Sequence, residues 1–484
     1  MMIKEKIILT DKQKQCVNFK PEGSLLVRGI PGSGKSTIIL ARSQYLLKEF
    51  PNESLTILTF NRSLSNYVRQ LALKTGDQPI EACTFHNWAK LLLKETTYPH
   101  TKLILGDTRK RAIQFAKNIV NKRIEKVSFP KIKDQKNESK ALIDFLSDEI
   151  EWIKGSDIKS REEYLKVVRV GRGTEIRVNK KHRETIYHVL EKYNELLQKH
   201  SHYQGVDGED LARILIEKVE DLPLKKRPDH ILVDEAQDLH SIQLKAIKVI
   251  AKKSLTIGAD KGQQIYRRTF TWKKAGIDVV GNRSRFLNET FRSTKQIVRL
   301  ANYFQGKDTF FTKDEEYIKA KEPDIEGKIP DLCLCENGED EVKQIIGHIK
   351  KVRNTFPEDT IGVIANTNAT LKKLKDIIEL EGIPVYNLQD GESDMISPGV
   401  KLTTFHSSKG LEFDHVIVTG LKKGKLPYKT PGLGEDEAEF LSRERKKFYV
   451  AMTRAKKTLL ITAVKPYSVF IEDLDSTLYN LIKK

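Results

Sequence analysis

Residues 29–36 read Gly-Ile-Pro-Gly-Ser-Gly-Lys-Ser and follow directly on the apolar run 24–28, Ser-Leu-Leu-Val-Arg. This is the pattern of a phosphate-binding loop, with a strand predicted before it and a helix predicted over Thr37 to Leu47. Glycines let the backbone wrap closely, so that its N–H groups face a triphosphate at the N-terminus of the helix. Lys35 can reach the β- and γ-phosphates, and the Ser36 hydroxyl can ligate Mg²⁺. The predicted nucleotide-binding residues of the loop are Gly29, Gly32, Gly34, Lys35, Ser36 and Thr37. The alternative is a glycine-rich turn before a helix.

A second segment supplies the acidic half of such a site. The apolar run 230–233, His-Ile-Leu-Val, leads straight into the cluster Asp234-Glu235-Ala236-Gln237-Asp238. Asp234 would hold Mg²⁺ together with Ser36, mostly through water, and Glu235 would orient or deprotonate the attacking water. A solvated acidic helix start is the alternative. Together the two segments predict a site that hydrolyses a nucleoside triphosphate.

Composition bounds the class of protein. A chain of 484 residues with 39% hydrophobic residues suits two to four folded domains and excludes a disordered protein. Lys and Arg outnumber Asp and Glu by 85 to 66, a net charge of +19 that favours a polyanionic partner such as nucleic acid. A basic surface that is merely solvated is the alternative.

The cysteines and the hydropathy bear on the compartment. The four cysteines, at positions 16, 83, 333 and 335, have no zinc or iron–sulfur spacing, which favours a reducing, intracellular setting. No signal peptide is visible, and no apolar run approaches the length of a membrane span. We therefore expect a cytoplasmic protein with no membrane partner.

The order of apolar and helical patterns predicts the domains. Short apolar runs alternate with helical patterns in two parts of the chain, as is typical of parallel α/β sheets. Between them, the sequence is charged and helix-periodic, as at 141–153 and 183–197. The predicted strands are 24–28, 55–60, 80–84, 230–233, 361–365, 400–404, 415–419 and 458–462. The predicted units are a first α/β domain over 1–93 and 225–283, a helical insert over 94–224, and a second α/β domain over 284–484.

Further segments match, in order, the motifs of a known family. Each is weak by itself, but the ordered set is specific, and the chain resembles the UvrD/Rep-like helicases of superfamily 1A over nearly its whole length. The segments besides the phosphate loop are Leu9-Thr10-Asp11-Lys12-Gln13, Thr59-Phe60-Asn61, Thr84-Phe85-His86, the cluster 234–238, Gly262-Gln263-Gln264-Ile265-Tyr266, 287–293 (Leu-Asn-Glu-Thr-Phe-Arg-Ser), 404–413 (Thr-Phe-His-Ser-Ser-Lys-Gly-Leu-Glu-Phe) and 448–455 (Phe-Tyr-Val-Ala-Met-Thr-Arg-Ala).

The resemblance implies a fold and a nucleotide site. It implies two RecA-like P-loop NTPase domains with parallel sheets, which bind ATP and Mg²⁺ in the cleft between them. Arginines from a second domain stabilise charge on the transferring γ-phosphoryl group, and closure of the cleft on ATP supplies the mechanical stroke. Arg292 and Arg454 would be these arginines, although each alone could be a surface ion pair. By resemblance, Gln13 would read adenine, Gln263 would sense the γ-phosphate, and Glu412 would bind the ribose.

Two positions depart from the family pattern. Phe291 stands where the family usually has a Tyr that stacks on adenine, and a phenyl ring can still stack. The pair Thr37-Ile38 follows the loop serine where the family often has an Arg. The second departure bears on base selectivity and leaves the phosphate contacts untouched.

The resemblance also implies a track for a single strand of DNA. Single strands are bound through backbone contacts and aromatic stacking, and Trp272 lies among cations in the segment 267–274. The residues expected to contact DNA are Phe60, Asn61, Thr84, Phe85, His86, Tyr266, Trp272, Thr404 and His406. Core packing remains the alternative for Phe60 and Phe85, covering of a core edge for Trp272, and a structural role for the histidines.

These features predict an ATP-dependent helicase or translocase on single-stranded or partly duplex DNA. Motif five in the form Lys-Gly-Leu-Glu-Phe favours 3′→5′ movement. The strand 361–365 and the turn 382–385 lead almost directly to Val400, so subdomain 2B of larger relatives is expected to be absent or minimal. A bare core would translocate more readily than it unwinds, or would depend on a partner.

Two alternatives stay open. The first is a nucleotide- and DNA-gated sensor that controls a separate nuclease, for example in an anti-phage defence complex. The short stretch after motif six has no room for a nuclease module, so the nuclease would be another polypeptide. The second is a plain nucleotide-binding protein, which leaves the two arginine motifs and the aromatic-basic segments unexplained.

Overall fold

The computed structural model describes residues 8–75, 80–96, 98, 102–132, 138–169, 176–260, 272, 275–312, 319–390, 393–428 and 437–482. The strands, β1 to β13 in chain order, are Gly23–Gly29, Leu55–Thr59, Ala82–Thr84, His230–Val233, Ser254–Ala259, Ser284–Leu287, Asp331–Cys335, Thr360–Ala365, Val385–Asn387, Gly399–Thr404, Phe413–Leu421, Ala455–Val464 and Asn480–Ile482. The α-helices, α1 to α14, are Asp11–Val17, Lys35–Glu49, Arg62–Thr75, Phe85–Leu93, Gly106–Arg123, Glu138–Gly155, Arg161–Lys166, Lys180–Lys199, Gly208–Glu217, Ser241–Ile250, Lys295–Gly306, Gly338–Thr355, Asn368–Leu380 and Glu437–Met452. None of these helices is long and apolar enough to cross a membrane.

The first sheet carries the phosphate loop. Its strand order is β3-β2-β4-β5-β1-β6, and every neighbouring pair is parallel. Strands β4 and β5 are buried along their whole length, as expected where helices cover both faces of a parallel sheet. Because the carboxyl ends of parallel strands meet at one edge, the segments that follow β1, β4 and β5 lie side by side.

The second sheet has the order β13-β7-β12-β11-β8-β10-β9 and is also parallel throughout. Its central strands β8 and β11 contribute to two buried cores, Ile364 and Val418 to one and Val363 and Ile417 to the other. Two parallel α/β sheets, each with helices packed on it, confirm the predicted fold class of two RecA-like domains.

Helices from the middle of the chain form a separate core. Side chains of α5, α6 and α8 pack together around Ile113, Leu146 and Val189, all fully buried. This core spans Ile104 to Leu197. The predicted insert over 94–224 therefore contains a helical subdomain with its own hydrophobic centre.

Packing and pairing place two segments in the first domain that the predicted boundaries assign elsewhere. Strand β6 pairs with β1 in the register Leu26↔Ser284 to Gly29↔Leu287, so these residues belong to the first sheet, although the predicted boundary at 284 assigns them to the second domain. Helix α9 packs Leu211 and Leu215 into the core of the first domain. By packing, α9 therefore belongs with the first domain, although the predicted insert over 94–224 includes it. Both differences have one cause, because a boundary drawn from local sequence patterns ignores long-range pairing, and the domain bounds themselves stay predictions.

The stretch from β8 to β10 is short. Helix α13 and strand β9 are the elements that the structure describes between Ala365 and Gly399. The absence of a 2B-like subdomain stays a prediction, and this short connection is in keeping with it.

Candidate functional site

The phosphate loop wraps between β1 and α2. Gly32 and Gly34 have φ of +76° and +84°, a region that side chains with a Cβ rarely adopt. A Cβ on Gly32 would lie 2.3 Å from Thr290 Oγ1, so the loop also packs closely against the segment that follows β6. Lys35 Nζ donates to the carbonyl oxygens of Gly29 and Ile30, both at 2.9 Å. The loop holds its lysine inward, over the position that the β- and γ-phosphates would take.

An acidic residue that the sequence analysis missed lies beside this lysine. Asp260 Oδ2 accepts from Lys35 Nζ at 3.1 Å, and both side chains are buried. Asp260 follows β5, the strand between β1 and β4 in the sheet. The signal that could have found it is the apolar run 254–259 ending in an aspartate, the same pattern as 230–234.

The predicted Mg²⁺ ligands lie within hydrogen-bond distance of each other. Ser36 Oγ donates to Asp234 Oδ2 at 2.6 Å. Burial and the neighbouring Glu235 raise the pKa of Asp234 to about 6. A hydroxyl and a carboxylate oxygen meeting at the carboxyl edge of the sheet are the ligand types that Mg²⁺ prefers, so these residues fit the ion.

Glu235 stands in an unusual backbone conformation. Its φ is +55°, and it precedes a short 3₁₀ turn over Ala236–Asp238. Non-glycine residues in this region are uncommon and occur often at functional sites. Burial alone would raise the pKa of Glu235, but Lys409, Lys35 and Arg454 outweigh it and hold the pKa below its usual value. The side chain is therefore ionised at neutral pH, as a water-orienting carboxylate needs to be.

Lys409, a second residue absent from the predicted site, joins the two domains. Its Nζ contacts Asp238 Oδ2 at 2.5 Å and Glu235 Oε2 at 3.7 Å, and its side chain is 2% exposed. Lys409 lies in the loop between β10 and β11 of the second sheet, whereas both carboxylates follow β4 of the first. We call these three residues the cleft triad.

The two predicted arginines face the same cleft. Arg292 forms an ion pair with Glu412, and its Cβ lies 3.1 Å from where a Cβ on Gly32 would stand. Arg454 is buried and donates through Nε to Val450 O at 2.9 Å and through Nη1 to Leu411 O at 3.3 Å.

Electrostatic interactions link Arg454 to carboxylates of the first domain. Burial and Arg292 lower the pKa of Arg454 to about 9, against the opposing effects of Glu235, Glu412 and Asp260. The guanidinium therefore stays charged at neutral pH. Glu412 and Arg454 immediately precede β11 and β12, so the second sheet presents its amino ends to the cleft.

The residues predicted to hold the base lie at the far side of the loop. Gln13 Nε2 donates to Ser33 O at 3.0 Å, while Gln13 Oε1 accepts from Thr10 N at 2.9 Å. Phe291 N donates to Gly32 O at 2.9 Å, and the Phe291 side chain is 44% exposed. Gln13 and an accessible ring thus flank the phosphate loop, where a purine could be contacted on one edge and stacked.

The residues predicted to contact DNA near the ends of β2 and β3 have varied environments. Asn61 Oδ1 caps α3 by accepting from Leu64 N at 2.7 Å, and Thr84 caps α4. Phe60 is half-buried against the core of the first domain. Phe85 is 1% exposed within that core, so its ring cannot stack on a base without leaving the core. This is the packing alternative left open by the sequence.

The remaining residues of the predicted track lie near the insert or on the second domain. His86 packs against Gly208 at the start of α9. Trp272 is half-buried against the first core, and Thr404 accepts from Ser407 N at 3.2 Å. Burial lowers the pKa of His406 to about 4, so its ring is neutral at physiological pH. Gln263 and Tyr266 lie outside the described residues.

Comparisons with known proteins agree with this geometry. Residues 9–285, more than half of the chain, match the UvrD/REP helicase N-terminal domain, and residues 386–466 match the UvrD-like helicase C-terminal domain. The chain is 23% identical to a probable DNA helicase of Mycoplasma pneumoniae over 508 aligned positions, which cover 98% of this chain and 87% of that protein.

Two further relatives cover less. A probable DNA helicase II homologue of Mycoplasma capricolum is 24% identical over 78% of this chain, which spans about half (51%) of that protein. A solved C-terminal domain of a possible DNA helicase from Lactobacillus plantarum aligns with 40% of this chain and 99% of that domain, at 23% identity and a TM-score of 0.30. From the two family matches, the chain belongs to the UvrD/Rep-like DNA helicase family.

Proposed function

We propose that this protein is an ATP-driven translocase and helicase that moves 3′→5′ along single-stranded DNA in the cytoplasm. The observation that carries the proposal is the shared composition of the nucleotide site. Lys35, Asp234 and Glu235 come from the first sheet, whereas Arg292 and Arg454 come from the second domain. A site divided in this way completes itself only when the domains approach, so that hydrolysis and domain movement are linked.

The roles of the residues follow from their charges and positions. Lys35 and the loop amides bind the β- and γ-phosphates, and Glu235 orients the attacking water and accepts its proton. Arg454 neutralises charge that develops on the γ-phosphoryl group. Arg292 assists it, either after its ion pair with Glu412 breaks or while that ion pair persists. Mg²⁺ held by Ser36 and Asp234 would supply further neutralisation of the phosphates.

Coupling to DNA runs through helix α3. The helix begins after Asn61, a proposed strand contact whose side chain caps it. Helix α3 also contacts the second domain. Ser63 Oγ donates to Leu388 O at 3.0 Å, and Tyr67 packs against the core of the second domain. A strand bound at the start of α3 would therefore bias the position of the second domain. The 3′→5′ direction rests on the resemblance of motif five.

The test compares the wild-type chain with Lys35→Ala and Glu235→Gln. We expect wild-type ATP hydrolysis to rise at least tenfold with single-stranded DNA, and both variants to lose it. Displacement of streptavidin from end-biotinylated oligonucleotides reports direction, with release from the 5′ end expected, and tailed duplexes report unwinding. Hydrolysis that is equally fast without DNA would contradict the proposal. DNA-stimulated hydrolysis without any displacement would favour the sensor that controls a separate nuclease.

A further inference from the structure

Arg42 is a buried arginine on the helix that follows the phosphate loop. It is 1% exposed and lies on α2, two turns after Lys35. Its Nη1 donates to Val17 O and Phe19 O, both at 2.7 Å, and to Cys16 O at 3.3 Å. Its Nη2 donates to Lys20 O at 3.2 Å, and its Nε donates to Thr256 Oγ1 on β5 at 2.9 Å. One guanidinium thus ties three separate parts of the first domain together.

The carbonyl groups that Arg42 binds belong to the end of α1 and the turn after it. The last carbonyls of a helix have no partner within the helix, and the helix dipole makes that end negative. Helix α1 has only seven residues, so it needs tertiary contacts to hold its place. Burial lowers the pKa of Arg42 to about 10, which leaves the group charged at neutral pH. A fixed positive charge therefore secures a helix that could not hold its position alone.

Helix α1 carries Gln13 at its other end. The Gln13 amide donates to Ser33 O of the phosphate loop at 3.0 Å. The same amide nitrogen lies 2.4 Å from where a Cβ on Gly34 would stand. Gln13 is thus in close contact with the loop, and this contact depends on where α1 lies.

We propose that Arg42 is a positioning residue for base selectivity: it fixes helix α1 to the phosphate-loop helix so that Gln13 meets the base of the bound nucleotide. The proposal rests on the proposed function, in which Gln13 reads adenine. Lys35, Ser36 and Arg42 all lie on α2, so the element that binds the phosphates also determines where the base-reading helix lies. The guanidinium of Arg42 is bonded to protein carbonyls and to Thr256, so it would act on the base through Gln13.

The test measures nucleotide selectivity in Arg42→Lys and Arg42→Gln. Dissociation constants for fluorescent ATP and GTP analogues are measured on the full chain, which needs no catalytic turnover. A lysine keeps the charge but cannot span the same set of carbonyls. We expect Arg42→Gln to weaken ATP binding about tenfold and to leave GTP binding within about twofold. We expect Arg42→Lys to fall between Arg42→Gln and the wild type.

A double variant shows whether Arg42 acts through Gln13. Gln13→Ala by itself should reduce the preference for ATP, and Arg42→Lys added to Gln13→Ala should reduce it no further. An equal loss of ATP and GTP binding in the Arg42 variants would overturn the inference. Additive losses of selectivity in the double variant would overturn it too.

The chain offers a matched control in Arg183. Arg183 Nη1 donates to the carbonyls of Tyr164, Leu165 and Val167 at the end of the short helix α7, far along the chain in the insert. Arg183→Gln removes the same type of contact without touching α1, so its selectivity should equal that of the wild type. If Arg42→Gln does not fold, Thr256→Val removes the Nε partner alone and should give a smaller loss in the same direction.

The result for Gln13 separates the two claims. If Gln13→Ala retains the wild-type preference for ATP, the base-reading role is wrong and this inference fails with it. If Gln13→Ala loses the preference while the Arg42 variants keep it, the inference alone is wrong. DNA-stimulated hydrolysis, measured in parallel, tests the proposed function independently of both.

Discussion

Two buried lysines each bridge a pair of carboxylates, at two different junctions of the molecule. Lys409 contacts Asp238 and Glu235 across the cleft between the two sheets. Lys154, on α6 of the insert, contacts Asp207 and Asp210 at the start of α9, both at 2.7 Å. We call the second set the insert triad. Both triads pair one lysine with two carboxylates, but the residues around the two triads differ.

The insert triad is one part of a larger buried network. Arg109 of α5 donates to Glu209 at 3.1 Å, and His240, two residues after Asp238, contacts Glu209 at 3.3 Å and Glu151 at 3.2 Å. Helix α9 adds apolar contacts with the core of the first domain. Because these contacts must break together, the junction between the insert and the first domain is rigid. The cleft triad instead includes Glu235, the carboxylate proposed to orient the attacking water, so a change in domain position would change the chemistry directly.

The largest effect is expected at Arg454. Arg454→Ala removes a buried charge from the cleft, and we expect DNA-stimulated turnover to fall about 10³-fold or more, as when an arginine finger is lost. ATP binding should change much less, because the phosphate loop is untouched. Steady-state hydrolysis and nucleotide binding measure the two quantities.

Arg445→Lys serves as the control for a buried arginine of the same domain. Arg445 pairs with Asp473 at 2.6 Å and packs against Phe304, away from the cleft. Its replacement should affect stability and leave turnover per folded molecule close to that of the wild type. A similar loss of turnover in both variants would mean that the Arg454 effect is structural.

The second prediction concerns the insert triad. Lys154→Met leaves Asp207 and Asp210 buried without their lysine, and we expect the unfolding free energy to fall by about 3–5 kcal/mol. Turnover per folded molecule should stay within about threefold of the wild type, since the nucleotide site is separate. Urea unfolding followed by circular dichroism measures the first quantity. A variant of normal stability but low activity would show that the insert junction takes part in the chemistry.

The third prediction concerns the cleft triad. In Lys409→Met, the carboxylate of Glu235 loses its largest favourable neighbour, so its pKa should rise from the lowered value that it has in the wild type. A base with a higher pKa is protonated at higher pH, so the acid limb of the pH–rate profile should move to higher pH. At neutral pH the carboxylate stays ionised in both proteins, so the loss from this cause is expected on the acid limb, where a rise of about one pKa unit lowers turnover about tenfold.

The unfolding free energy of Lys409→Met distinguishes the cleft triad from the insert triad. If the cleft opens in each cycle, as the proposed function requires, Lys409→Met should lower the unfolding free energy less than Lys154→Met does. An unmoved acid limb would contradict the role assigned to Lys409, and a larger loss of stability than in Lys154→Met would reverse the comparison.

Sequence reasoning found the fold because local patterns carry it. Runs such as 24–28 and 230–233 each contain three successive apolar residues, Leu-Leu-Val and Ile-Leu-Val, and they are found as β1 and β4. The run 254–259 was missed although β5 is buried throughout, because two lysines precede it and Ser and Thr interrupt its apolar pattern. Strand β13 is an exposed edge strand with no apolar alternation, so nothing local distinguishes it.

The site residues also divide into those that local sequence patterns reveal and those that only long-range contacts bring together. The loop lysine and the aspartate after β4 stand in short motifs with a chemical reason for each residue. Lys409 and its partner Asp238 lie 171 positions apart, and Lys35 and Asp260 lie 225 apart. Spacing along the chain cannot show such pairs, because they arise only when two strands, or two domains, come together. Phe85 shows the reverse difficulty, since an aromatic residue in a motif can also belong to the core, as its 1% exposure indicates.

The smallest effect, and the finest test of the comparison, is expected at Gln70 on α3. Its amide donates to Ser393 O at 3.1 Å and accepts from Met395 N at 2.9 Å, so it bonds the first domain to the backbone of the loop before β10. Gln70→Ala removes both bonds, each contributing about 1 kcal/mol. We expect the DNA concentration for half-maximal stimulation of hydrolysis to rise about three- to tenfold. Gln70→Glu keeps the acceptor and loses the donor, so it should show a smaller rise.

Leu73→Ala changes an exposed side chain on the same helix (65% exposed) and should have no effect. If Gln70→Ala matches Leu73→Ala, these polar contacts do not influence closure, and the cleft triad alone joins the domains. If Gln70→Ala instead lowers the unfolding free energy as much as Lys154→Met does, the cleft junction is as fixed as that of the insert. In that case hydrolysis could not be linked to opening of the cleft.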